Sequence, residues 1–323
     1  MIKLDNTDKH ILSILDYDAR TSLSQLRKAT RLSKAAISAR IKKMETAGII
    51  EGYYSVIDSS RLGYLSFRVY IRFSKTDPAK EREIINYLNS DSRVWWLGLI
   101  QGYWSAGIIM WVRDLYDFRN FWLEFITRFR KNISSHLVAP FVKLRQYTHA
   151  YLSDKNQTVR NAGIIGEGRR IELSENERKL LEYVSEHARD SALDIARNTG
   201  LTPAVVKYAL VQLVRKGIIV RFRAKINASA LDYSLYKIDF FLDDPTIMND
   251  MMNFAQSIPN LIYIDETIGG ADFEAEFQLH SEQDFADTLE KFKKRFSSKI
   301  RETDCIVYSK VLKFTCVPPH AIN

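Results

Sequence analysis

Shifted by 169 residues, Leu4 to Tyr64 of this chain lies on Leu173 to Tyr233 without a gap. Identical pairs include Leu12/Leu181, Ala19/Ala188, Arg20/Arg189, Ser22/Ser191, Thr30/Thr199, Gly48/Gly217, Ile57/Ile226 and Tyr64/Tyr233. The period far exceeds the roughly 20–50 residues of a solenoid unit. A chain of 323 residues with this internal match is a duplicated pair of domains. Differences between the copies are therefore a comparison within one molecule.

Each copy divides into a helical and a mixed module. In the first, Thr7 or Asp8 is placed to cap a helix carrying Ile11, Leu12 and Leu15. Ser22 caps a second helix and Ser33 a third, whose Ile37, Ile41 and Met44 face inward. Gly48 stops it, and Ile49 to Ile57 reads as a short β-ribbon, the wing. The second copy repeats this from Ser174, with Thr202 capping the third helix, Pro203 at its first position and Gly217 after it. Three helices and a wing make a winged helix-turn-helix. The mixed modules follow the order β-α-β-β-α-β, a ferredoxin-like unit. The expected class is α+β. The expected domains are helix-turn-helix modules at 1–58 and 172–227 and ferredoxin-like modules at 59–152 and 228–323, joined by a polar linker at 153–171.

The third helix of the first copy carries its chemistry. Between Arg27 and Lys43 the chain carries Arg27, Lys28, Arg31, Lys34, Arg40, Lys42 and Lys43, and no acid. With the apolar positions inward, Lys34, Ser38 and Lys42 share the outer face. Lys34 lies in the first turn, where a recognition helix meets base edges, and Ser33, Arg40 and Lys43 flank it toward phosphates. The second copy offers Thr202, Lys207, Tyr208, Gln212 and Arg215, with a more basic wing at Arg221 and Arg223. A solvated charged face is the plain alternative; its place on this third helix favours double-stranded DNA.

Leu4 to Asp58 closely, and Leu173 to Asn227 more loosely, resemble the DNA-binding domain of the leucine-responsive regulatory protein (Lrp/AsnC) family. The resemblance implies a cytoplasmic transcription regulator, a homo-oligomer pairing through the sheets of its mixed domains. It also implies a small-metabolite effector, often an amino acid, near a turn reading Gly-x-x-Asp. The second copy keeps that turn as Gly269-Gly270-Ala271-Asp272, whereas the first has Gly102-Tyr103-Trp104-Ser105. The carboxylate receives either an effector ammonium or the turn's own N–H groups.

Charge separates the mixed modules. Residues 59–153 hold 14 Lys/Arg and 7 Asp/Glu, while 226–323 hold 9 and 16. Opposite charges favour pairing of the first mixed domain with the second, within or between chains. A pair with unequal recognition helices suits an asymmetric DNA site.

The rival reading is an enzyme resembling the siroheme decarboxylases, with His136, His149, His280 and Arg145 as its candidate residues. The chain carries no Walker loop, G-x-S-x-G, H-E-x-x-H or paired C-x-x-C, so no cofactor or metal is expected. Cys305 and Cys316 read as half-buried strand thiols, which suits a reducing cytoplasm. No apolar run reaches the ~20 residues of a membrane span, and MIKLDNTDKH lacks a signal-peptide core.

Overall fold

The computed structural model describes residues 4–153, 162–166 and 168–318. The first helical module contains α1 (Asn6–Tyr17), α2 (Leu23–Thr30) and α3 (Lys34–Thr46). Asp5, rather than Thr7 or Asp8, caps α1, and Asp8 closes a reciprocal capping box with it. Strand β1 (Ile50–Ile57) follows. The first mixed module is β2 (Leu65–Phe73), α4 (Pro78–Ser90), β3 (Val94–Gln101), β4 (Ala106–Val112), α5 (Leu115–Phe129) and β5 (Ile133–Gln146). A short strand β6 (Gly163–Ile165) lies within the expected linker and pairs with β5; residues 154–161 and 167 of that linker lie outside the described residues. The second copy runs α6 (Glu175–Glu186), α7 (Ala192–Thr199), α8 (Pro203–Arg215), β7 (Ile219–Ile226), β8 (Ser234–Leu242), α9 (Met248–Gln256), β9 (Leu261–Thr267), β10 (Phe273–Leu279), α10 (Glu282–Phe296) and β11 (Ile300–Phe314).

Each mixed module builds a four-stranded antiparallel sheet, β5-β2-β4-β3 and β11-β8-β10-β9. Strand alternation gives each sheet two faces. Val69 and Ile71 face Ile84, Phe121 and Phe125 of the covering helices; Ile238 and Phe240 face Met251 and Phe292 in the second copy. The sheets join at both edges. The second half of β11 pairs with β3, and the second half of β5 with β9. Eight strands thus close on themselves, leaving no free edge in this ring.

The wing is not a ribbon within each copy. β1 pairs antiparallel with β7, Tyr54 opposite Arg223, so each helical module completes its wing from the other copy. Repeated residues make reciprocal bonds here. The Ala19 N–H donates to Phe222 O and the Ala188 N–H to Tyr53 O, at 2.9 and 3.0 Å. Arg20 Nη1 donates to Ala188 O at 2.6 Å, and Arg189 reciprocates on Ala19 O.

Where the copies differ, the bonds become one-sided. Arg223 of β7 is buried on Asp16 of α1, with Nε 3.0 Å from Oδ1. The backbone N–H of His149 donates to Asp16 Oδ2 at 2.6 Å. Burial opposes ionisation of Asp16, but Arg223 and His149 outweigh it and hold the carboxyl below the usual range. The positions equivalent to Asp16 and Arg223 are Ser185 and Tyr54, which carry no charge. Two first copies would bury two Asp16 carboxylates without their arginine, and two second copies two Arg223 guanidiniums without their carboxylate.

Breaking a buried pair by removing one member costs about 3–5 kcal/mol. Asp16→Ala is accordingly expected to lower the unfolding free energy by about that much in urea denaturation. Asp16→Leu combined with Arg223→Met is expected to recover most of the loss, since both charges then leave together.

Candidate functional site

The outer face of α3 matches its expected composition. Ser33 caps the helix, accepting the Ala36 N–H at 3.1 Å, and Ile37, Ile41 and Met44 are buried beneath it. Lys34, Ser38, Lys42 and Lys43 are exposed. No ion-pair partner of these lysines occurs among the described residues. Arg40 differs from its expected role. Its guanidinium donates to Asp5 at 2.7 Å and Asp8 at 2.6 Å, tying α3 to the capped start of α1. It holds α3 in place rather than presenting a free cation.

The third helix of the second copy, α8, keeps the frame and loses charge. Thr202 caps α8, accepting the Val205 N–H at 3.3 Å. Lys207, Tyr208 and Arg215 are exposed, and Gln212 is half-buried. Val211 stands exposed where the first copy has Lys42. The wing residues correct the expectation further. Arg223 is buried in its ion pair and cannot reach DNA. Arg221 is half-buried with its guanidinium 4.8 Å from the Tyr17 ring centroid. Desolvation is the first cause of its lowered pKa. The signal for Arg223 was available in Asp16, an acid four residues after Leu12 on the apolar stripe of α1.

The β-turns assign the disputed carboxylate a structural job. Asp272 Oδ2 accepts the backbone N–H of Leu242 at 2.7 Å. Ser105 Oγ accepts the corresponding N–H, that of Phe73, at 3.0 Å. A serine thus replaces the acid without changing the bond made. Gly102 and Gly269 adopt φ of +116° and +79°, a region that favours glycine. Gly270 has no room for a Cβ, which would lie 2.6 Å from Glu274 Oε1.

The inner face of the closed sheet holds a feature that strand patterning alone does not announce. Arg68 of β2 is buried between Asp265 and Glu274 of the second copy, with Nη1 3.1 Å from Asp265 Oδ2. Lys237 Nζ lies 2.9 Å from Glu274 Oε2 and also bonds Asp239. Glu276 is buried beside them, and Tyr70 and Tyr308 share a hydrogen bond of 2.9 Å. Four acids therefore meet two bases in low dielectric. Burial raises the Asp265 carboxyl to about 7, only partly opposed by Arg68. It also raises Glu276, whereas Lys237 and Arg68 hold Glu274 down at about 2 against burial. The first copy has no such acids: by register, Gly98 and Gly107 occupy the places of Asp265 and Glu274. A Cβ at Gly98 would lie 2.4 Å from the Trp96 ring, so the glycine makes room for an indole.

Beside this cluster a cavity of about 180 Å³ opens between β1, β3, β5 and β9. Trp95, Trp96, Trp111 and Tyr263 line it, with Asp265 and Glu276. The enzyme candidates do not converge there. His136 and His280 are exposed, His149 belongs to the Asp16 network, and Arg145 pairs with Glu266. Cys316, beyond β11, also borders the cavity, its thiol raised to about 12 by burial; Cys305 is exposed rather than half-buried. No helix among the described residues is long and apolar enough to cross a membrane.

Comparison with known proteins agrees with the helical modules. A winged helix-turn-helix DNA-binding family model matches residues 4–51 and 173–220. The transcriptional regulator LrpA of Pyrococcus horikoshii is 37% identical over 111 residues, 34% of this chain and 77% of that protein. The regulatory protein AsnC of Haemophilus influenzae is 39% identical over 64 residues, 20% of this chain and 43% of that protein. In fold, the whole chain is similar to the siroheme decarboxylase NirDL. The TM-score is 0.67 at 14% identity, over 98% of this chain and 96% of that one. A second NirDL structure holds an iron-uroporphyrin III analogue.

The raised Asp265 carboxyl generates a pH prediction. The fold favours its protonated form, so its contribution to stability is complete below about pH 4 and is lost as pH rises through about 7. Asp265→Asn is neutral at every pH. The stability of the native chain relative to this variant is therefore expected to fall between about pH 4 and pH 7 in urea titrations. A constant difference across that range would contradict the assignment.

Proposed function

The chain belongs to the Lrp/AsnC family in tandem-duplicated form, and on that footing we propose that it is a sequence-specific DNA-binding transcription regulator acting as a built-in asymmetric dimer. The observation that carries this reading is the exposed face of α3, with Lys34, Ser38, Lys42 and Lys43 over a buried apolar stripe. Lys34 and Ser38 are the proposed base readers, and Lys42 and Lys43 the proposed phosphate contacts. Thr202, Lys207, Tyr208 and Arg215 form the weaker second face, and Gln212 lies at its border.

The two faces differ in charge and shape, so the proposed target is two unlike half-sites rather than a palindrome. Further assembly of such chains into a homo-oligomer fits the family. An amino-acid effector at the Gly269–Asp272 turn is less favoured, because Asp272 already serves the Leu242 N–H.

A siroheme-decarboxylase activity is the second reading, favoured by the whole-chain likeness in fold. A uroporphyrin-type macrocycle carries a rim of carboxylates. The cavity lining offers Lys143 as its base against Asp265 and Glu276, a poor match to that rim. Its volume of about 180 Å³ also falls below the roughly 300–1,000 Å³ of pockets for drug-sized ligands. A Soret band that shifts saturably on adding the tetrapyrrole would promote this reading.

DNA selection on the whole chain, followed by binding at several salt concentrations, tests the regulator. The expected consensus is asymmetric. Lys42→Ala or Lys43→Ala is expected to weaken binding on every sequence and to reduce the log–log salt slope by about 0.9 for each phosphate no longer neutralised. Lys34→Ala or Ser38→Ala is expected to change sequence preference. Equal weakening on all sequences after Ser38→Ala removes its base-reading role.

A further inference from the structure

We propose that the cavity between the wing and the closed sheet is a binding site for a small aromatic amine, whose ammonium is received by Asp265 and whose ring lies against the lining indoles. This inference is independent of the DNA-binding reading.

The charge balance comes first. Among the described residues, Asp239, Asp265 and Glu274 are ion-paired by Arg68 and Lys237, and Glu276 is buried beside them. Buried acids in excess of bases must hold protons or attract a cation. Arg68 and Lys237 are committed to Asp265 Oδ2, Glu274 and Asp239. Asp265 Oδ1 is left over. It is fully buried, has no hydrogen-bond partner, and belongs to a residue that lines the cavity. A buried carboxyl oxygen without a partner costs free energy that a hydrogen bond from a ligand ammonium would recover.

The walls specify the rest of the ligand. Trp95, Trp96, Tyr54 and Tyr263 contribute aromatic surface, and aromatic faces attract cations as well as rings. Trp95 Nε1 is also buried without a partner, a donor available to a second polar group on the ligand. An apolar cavity of roughly 150 Å³ suffices for benzene, so about 180 Å³ suits one ring with a short amine arm. The geometry arises only from the duplication. The indoles come from β3 of the first copy and Asp265 from β9 of the second, and Gly98 occupies the first copy's counterpart of Asp265.

The test titrates the full-length chain with phenethylamine, 2-phenylethanol and 3-phenylpropionate, following tryptophan fluorescence and heat. Expected is saturable binding of the amine, roughly tenfold or more tighter than the alcohol or the acid, as a charge-assisted hydrogen bond requires. Asp265→Asn is expected to abolish that preference for the amine while leaving cooperative unfolding intact. Should Asp265→Asn not fold, Glu276→Gln is expected to reduce it at least threefold, and the charge series on the unaltered chain decides by itself. The proposal is overturned if no ligand saturates, if the acid binds as well as the amine, or if neither variant alters the preference. It is also overturned if magnesium or calcium alone blocks the amine, which would make the cluster a metal site.

Discussion

The ion pairs that cross between the two copies organise this molecule. Arg68 of the first copy is buried on Asp265 and Glu274 of the second. Arg223 of the second is buried on Asp16 of the first. Each of these charges is too deep to be left alone, because an unpaired buried ion costs several kcal/mol. Hydrophobic burial builds the individual modules but does not select the partner. The buried charges match one copy to the other.

This explains how duplication was put to use. Reciprocal contacts, such as the Arg20 and Arg189 guanidinium bonds, keep the approximate two-fold symmetry that two identical subunits would have. The one-sided contacts break that symmetry at buried positions: Gly107 against Glu274, Tyr54 against Arg223, Ser185 against Asp16. Once the inside is asymmetric, the outside is free to diverge. Lys42 of α3 stands where Val211 stands on α8, so the exposed faces of the two third helices differ in charge.

Much of this fold was legible in the sequence because periodicity and capping are local. Ser22, Ser33 and Thr202 cap the helices assigned to them, and the β-α-β-β-α-β order holds in both copies. What was not legible is non-local. The wing looked like a ribbon because β1 has strand character, but a strand does not announce its partner, and β7 lies far along the chain. Arg223 looked like part of a basic, DNA-facing wing because a basic strand residue reads the same whether it faces solvent or Asp16. The acid cluster escaped notice because Lys237, Asp239, Glu274 and Glu276 alternate along strands as surface residues do. Only closure of the sheet turns that face inward. The summed charges of the two mixed modules carried part of this information, without naming the residues that use it.

The central claim is that the two copies fit each other and not themselves, and it is tested most directly by separating them. Residues 1–152 and 162–323 would be produced as two polypeptides and examined by native mass spectrometry, alone and mixed. The account predicts a one-to-one complex on mixing and little stable homodimer of either half. Tight homodimers of each half that do not exchange on mixing would contradict it.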